Sequence, residues 1–212
     1  MELAKYIDHT LLKADATKDR IIKLCAEAKE YDFMSVCVNT CNVSLCKEEL
    51  KDSDVKVCSV IGFPLGQMST VAKVAETKDA IANGADEIDM VLNIGRLKDK
   101  DYDYVTNEIR AIKQACEGRV LKVIIETCLL TDEEKVRACE CILDTDADFV
   151  KTSTGFSTGG ATFEDVALLK KTVGDKKKIK AAGGVRTHED MLKMIELGAD
   201  RIGTSSGIAL LK

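Results

Sequence analysis

The sequence predicts an α/β fold: a single-domain (β/α)8 barrel of the TIM type spanning residues 1–212. Three observations carry that expectation. Eight short apolar runs, most rich in Val and Ile without clean polar alternation, read as parallel strands buried on both faces. Helical patterns separate them, so eight alternations in 212 residues leave about 26 residues per unit. Finally, "NGADEIDM", "DADFVKT" and "LGADRIGT" each end a helix on a Gly-Ala-Asp or Asp-Ala-Asp corner and enter a strand. Their aspartates, Asp86, Asp148 and Asp200, stand 62 and then 52 residues apart, two strand-helix units each time. An open doubly wound sheet is the alternative architecture.

The first strand is "YIDHT" (6–10), followed by the helix "DRIIKLCAEAKEY" (19–31) and the strand "SVCVN" (35–39). The third strand, "VKVCSVIGF" (55–63), leads to the helix "VAKVAETKDAIANG" (71–84) and the fourth strand, "EIDMVLN" (87–93). "YDYVTNEIRAIKQACEG" (102–118) is the next helix, and "LKVIIET" (121–127) the fifth strand. Thr131 with Glu134 forms a capping box that starts the helix "DEEKVRACECILD" (132–144). "DFVKTST" (148–154) is the sixth strand and "KIKAAGG" (178–184) the seventh, with the helix "FEDVALLKKTVG" (163–174) between them. "HEDMLKMIELG" (188–198) then precedes the last strand, "RIGTSS" (201–206). Thr162 with Asp165 and Thr187 with Asp190 resemble capping boxes with a shorter acid.

Composition narrows the function. Hydrophobic content of 45% and charged content of 32% are ordinary for a globular chain, and one Pro with 14 scattered Gly leaves no linker. A net charge of -5 without a basic stripe argues against nucleic acid, since "DKKKIK" (175–180) is only a short loop-to-strand run. "MELAKYIDHTLL" lacks a signal-peptide pattern, and no stretch approaches the roughly eighteen apolar residues of a membrane span, so a cytoplasmic protein with no membrane partner is expected. Nine cysteines then read as reduced thiols. With no CxxC pair and only His9 and His188, far apart in sequence, no catalytic metal is expected.

The corners also set a register. Three residues after each lie Asp89, Lys151 and Gly203, and a looser match in "EYDFMSVC" adds Cys37. Alternate strands of such a barrel fill one interior layer, so these residues should meet. Lys56 and Lys122 precede their apolar runs and read as snorkelling side chains at the end that serves stability. Lys151 and Lys180 instead follow the apolar part of their strands and precede Gly-containing turns, at the face where barrel enzymes work. Burial and a second cation lower the basicity of an amine, so Lys180 would prepare Lys151 to attack a carbonyl, with Asp89 moving protons. Asp8, Thr10, Cys37 and Thr152 are expected to line the pocket, and Glu126 either to orient Lys180 or to satisfy the barrel mouth.

Three consecutive loops suit an anion: "TSTGFSTGG" with Gly155, "AAGGVRT" with Gly183, Gly184 and Arg186, and "GTSSG" with Gly203, Ser205 and Ser206. A short helix beginning near Ser205 or Ser206 would add its positive end.

Together these stretches closely resemble the deoxyribose-phosphate aldolase family of class I aldolases. The likeness runs through "YIDHTLL", "SVCVN", "VIGFPLG", "EIDMVLNIG", "KVIIET", "DFVKTSTGF", "KAAGGVRT" and "GTSSG", covering almost the whole chain. It implies reversible cleavage of 2-deoxy-D-ribose 5-phosphate to D-glyceraldehyde 3-phosphate and acetaldehyde, in deoxyribose phosphate catabolism, with no metal or organic cofactor. It also implies Lys151 as Schiff-base former, Lys180 as its partner, Asp89 as acid/base, and Gly183, Gly184, Ser205 and Ser206 at the phosphate. Some members carry Lys where this sequence has Phe156, which shifts the phosphate toward backbone groups and Arg186. Members with a longer tail use a terminal Tyr in proton transfer, where this sequence reads "GIALLK". A phosphosugar isomerase or epimerase would want the same loops and an acid/base Asp but not Lys151, and a non-catalytic sugar-phosphate binder would use the lysines only for charge. Barrels of this size often self-associate, which makes a homodimer the default assembly.

Overall fold

The computed structural model describes residues 3–212. Eight parallel strands close in sequence order into a barrel: β1 (Ile7–Leu11), β2 (Ser35–Asn39), β3 (Lys56–Ile61), β4 (Glu87–Val91), β5 (Val120–Ile124), β6 (Phe149–Lys151), β7 (Lys178–Ala182) and β8 (Arg201–Thr204), with β8 returning to β1. Around them run α1 (Lys18–Glu30), α2 (Val43–Glu49), α3 (Thr70–Ala82), α4 (Ile94–Lys98), α5 (Tyr102–Ala115), α6 (Asp132–Leu143), α7 (Phe163–Val173), α8 (His188–Glu196) and α9 (Gly207–Leu210).

The strands end earlier than their apolar and Thr-rich runs suggest. "EIDMVLN" leaves the sheet after Val91 because Asn93 turns to cap α4, its side chain accepting from the Arg96 N–H. β6 stops at Lys151, and the "TSTG" beyond it is loop. α2 and α4 are too short to print a helical period in the sequence. The capping boxes at Thr131–Glu134 and Thr187–Asp190 both close. Thr162 accepts from the Asp165 N–H, but the Asp165 carboxylate is drawn instead to Lys135, 2.7 Å away.

The recurring corners have a structural reason. The Asp86 N–H donates to the Val57 carbonyl at 2.8 Å, and the Val57 N–H donates back to the Asp86 carboxylate at 2.9 Å. Asp148 makes the same reciprocal pair with Leu121, and Asp200 with Ile179. Each corner clasps the start of its own strand to the preceding one. At β2 the equivalent residue is Met34, which keeps the backbone bond to Ile7 but has no carboxylate to complete the clasp.

Period two then divides the side chains. On β4, Ile88 and Met90 join the large apolar shell between sheet and helices, with Val105 and Ile109 of α5. Truncating a core side chain of this kind typically costs about 2–5 kcal/mol. Glu87 and Asp89 turn to the barrel interior, where the apolar part is small: Leu12, Cys37, Cys58 and Val60, with Phe63 packed against them. Much of the remaining interior is charged.

Candidate active site

β6 and β7 run side by side with Lys151 and Lys180 as register partners. Both side chains enter the barrel and reach across to β4, where each Nζ lies 2.8 Å from the same oxygen of Asp89, Oδ2. The other oxygen, Oδ1, accepts from Lys122 at 2.9 Å and from the Cys58 thiol at 3.1 Å. Lys180 also pairs with Asp8 at 2.6 Å, while Arg201 binds both Asp8 and Glu87. Ser35 donates to Asp8 at 2.7 Å. All of these charged groups are buried.

Burial by itself pushes the Asp89 carboxyl up, but the ammonium groups of Lys122, Lys151 and Lys180 override it and hold Asp89 well below the usual carboxylate range. Asp8 shows the same balance: burial raises it, and Lys180, Arg201 and Lys122 bring it below its ordinary value. Burial works against the charged form of Lys180 too, yet Asp8 and Asp89 raise it above a free amine. Lys122 and Arg201 are likewise held in their charged forms, against burial, by their carboxylate neighbours. Within this network four cations face three carboxylates, Asp8, Glu87 and Asp89.

Lys122 does not snorkel at the stability end. It is fully buried, with Nζ 2.6 Å from Glu87, because the alternation of "VLKVI" turns it into the barrel where carboxylates wait. Lys56 is exposed. Glu126 does not orient Lys180 either. With φ at +54°, its backbone bends so that the carboxylate receives the Thr154 N–H and hydroxyl, tying down the loop after β6.

Above the network opens a cavity of about 760 Å³. Lys151 and Thr10 reach it, as do Gly155, Gly183, Gly184, Arg186, Gly203, Ser205 and Ser206. Three residues expected to line it stand elsewhere. Asp8 lies beneath it in the ion network, and Cys37 is buried in the small apolar cluster beside Cys58. Thr152, one residue past Lys151, takes the opposite face and bonds the Ala182 backbone of β7 through both its hydroxyl donor and acceptor. The Ser206 N–H donates to the Thr204 hydroxyl at 3.0 Å. The helix that follows is the single turn α9, too short for a sizeable macrodipole.

Glu87 and Arg201 were missed as part of the network, although the corner repeat carries the signal. The residue directly after each corner is Glu87, Phe149 or Arg201, with Ser35 after Met34, one layer below Asp89 and Gly203. Arg201 and Lys122 stand 5.9 and 5.8 Å from the centroid of the Phe149 ring. Sγ of Cys37, Sγ of Cys58 and an oxygen of Asp89 come within 4.8 Å of one another, the geometry of a metal-binding trio. Three ammonium groups already claim that carboxylate, and a divalent ion would sit among them.

A family model described as DeoC/LacD family aldolase matches residues 2–212. The chain belongs to the DeoC/LacD aldolase family. It is 64% identical over 212 residues to the deoxyribose-phosphate aldolase of Finegoldia magna, with all of both chains covered. Among solved structures, a putative deoxyribose-phosphate aldolase from Coccidioides immitis superimposes with a TM-score of 0.95 at 45% identity, covering 98% of this chain and 83% of that one. The deoxyribose phosphate aldolase of Aeropyrum pernix, described as a unique tetramer, gives 0.89 at 33% identity, covering 99% and 89%. This DeoC/LacD aldolase is thus a carbon–carbon lyase, and its relatives favour that activity over an isomerase or epimerase. No helix among the described residues is long and apolar enough to cross a membrane.

Proposed function

We propose that the chain reversibly cleaves 2-deoxy-D-ribose 5-phosphate to D-glyceraldehyde 3-phosphate and acetaldehyde through a Schiff base on Lys151. The observation that carries this reading is the convergence of Lys151 and Lys180 on Asp89 Oδ2 at the floor of a cavity walled by Gly and Ser loops. Four buried cations against three carboxylates leave one amine with no carboxylate oxygen to itself. Lys151 is that amine: it shares its carboxylate oxygen with Lys180 and alone of the four lines the cavity.

In the cleavage direction uncharged Lys151 Nζ adds to the C1 aldehyde, and the carbinolamine loses water to an iminium. The C2–C3 bond then breaks as the C3 hydroxyl gives up its proton to the acid/base Asp89: the bonding pair flows into the iminium as an enamine, and C3 leaves as the aldehyde of glyceraldehyde 3-phosphate. Return of that proton to C2 and addition of water release acetaldehyde and restore the amine. Asp89, ionised against the cationic iminium, passes protons between the two lysine nitrogens it bridges. The iminium is the electron sink, so this chemistry assigns no role to a metal or organic cofactor. Nine free thiols fit a reducing, cytoplasmic setting. The phosphate is read against Gly183, Gly184, Arg186, Ser205 and Ser206.

Borohydride added with substrate is expected to leave a covalent adduct located by mass spectrometry on Lys151. Lys151→Leu is expected to lose both adduct and turnover. Turnover retained in that variant would remove Lys151 from the mechanism.

A further inference from the structure

The cavity does not stop at the three loops after β6, β7 and β8. Because β8 pairs with β1, the loop after β1 stands beside "GTSSG", and Lys13, Arg20 and Lys23 from this side also line the cavity. Arg186 lines it from the loop after β7.

These four cations are not equivalent. Arg20 is held by Asp15 at 3.3 Å, and Lys23 lies 3.8 Å from Glu27, which is also bonded to His9 Nε2 at 2.7 Å. Among the described residues, Lys13 and Arg186 have no carboxylate within ion-pair distance. Both line the same cavity as the Gly183-Gly184 and Ser205-Ser206 turns, in a chain whose net charge is -5. The loop between β6 and α7 contains no Lys or Arg. Phe156 stands there, 52% exposed, its ring edge-on to Phe63 with centroids 5.2 Å apart.

We infer that Lys13 is a specificity-determining residue: with Arg186 it forms a two-cation clamp on the phosphate of the substrate. The inference rests on the phosphosugar reading above and assigns to the β1 side the charge that the β6 side lacks. A phosphate monoester carries close to two negative charges at neutral pH, and two uncommitted cations match it. Lys13 is exposed and touches nothing in the ion network, so it acts on binding and not on the amine chemistry.

The test compares wild type, Lys13→Met and Lys13→Arg on 2-deoxyribose 5-phosphate and on unphosphorylated 2-deoxyribose, with inorganic phosphate titrated calorimetrically into each protein. Lys13→Met is expected to raise KM for the phosphorylated sugar about tenfold, the size of one lost charge-assisted hydrogen bond. Its kcat, and its kcat/KM on 2-deoxyribose, should stay as in wild type. Phosphate should bind it correspondingly more weakly, and Lys13→Arg should restore both readouts. Unchanged KM and phosphate affinity, or an equal loss on both sugars, would overturn the clamp. If wild type cleaves neither sugar, the proposed reaction fails, and phosphate affinity alone decides the role of Lys13.

Discussion

Lys151 and Lys180 are joined through a single atom, each holding its Nζ 2.8 Å from Oδ2 of Asp89. The sheet imposes this arrangement, because the two lysines are register partners on adjacent strands and face the same way. Two ammonium groups so placed repel each other, and a third cation, Lys122, already occupies the other carboxylate oxygen. Asp8 gives Lys180 a second counter-charge at 2.6 Å, whereas Lys151 has only the shared oxygen. The asymmetry is what singles out Lys151 as the nitrogen proposed to meet the substrate.

Lys180→Met removes the neighbouring positive charge and leaves the shared oxygen to Lys151 alone. Both changes take away the control that the proposed mechanism gives Lys180 over the reacting nitrogen, so kcat/KM at neutral pH is expected to fall by about tenfold or more. Borohydride trapping at alkaline pH should still label Lys151. Wild-type kcat/KM in this variant would remove Lys180 from control of the reacting amine.

Acid sensitivity follows from the carboxylates. Asp8 and Asp89 have folded-state values below the ordinary 3.8, so the unfolded chain binds more protons through that range. Their contribution to stability is complete above about pH 4 to 5 and is lost as pH falls below it. Lys180, raised above 10.5, works at the other end: its contribution is present below that value and fades as pH climbs past it. Urea midpoints measured from pH 7 down to pH 2.5 should fall steeply for wild type. Asp89→Asn should be less stable at pH 7 and show a shallower acid limb, and a limb as steep as wild type would assign the acid loss to other groups.

Gly203 leaves room for the stem of Lys180. A Cβ there would stand 3.0 Å from Lys180 Cε and 3.0 Å from Ala182 Cβ. Gly203→Ala should displace the amine from Asp89 and lower kcat by up to about 10²-fold, with the fold retained by circular dichroism. Wild-type kcat in this variant would mean that the amine tolerates the shift.

Much of this arrangement was legible in the residues. Counting three positions from Asp86, Asp148 and Asp200 placed Asp89, Lys151 and Gly203 in one layer, because the corners are structural clasps that fix where each strand begins. Lys122 was not legible: its partners Glu87, Asp89 and Asp8 are 35, 33 and 114 positions away in the chain, and a Lys opening an apolar run looks the same whether it bends to solvent or to a buried carboxylate. Arg201 is separated from Asp8 by 193 positions, a pairing only barrel closure creates. Thr152 was misplaced because strand alternation continues past Lys151 although the regular strand has ended.

The clasps at Val57, Leu121 and Ile179 belong to the floor of the barrel, opposite the mouth, and none of their residues lines the main cavity. Joinery and chemistry are therefore kept in separate storeys. The upper loops can be recut to suit a different acceptor aldehyde while the staves stay pinned from below.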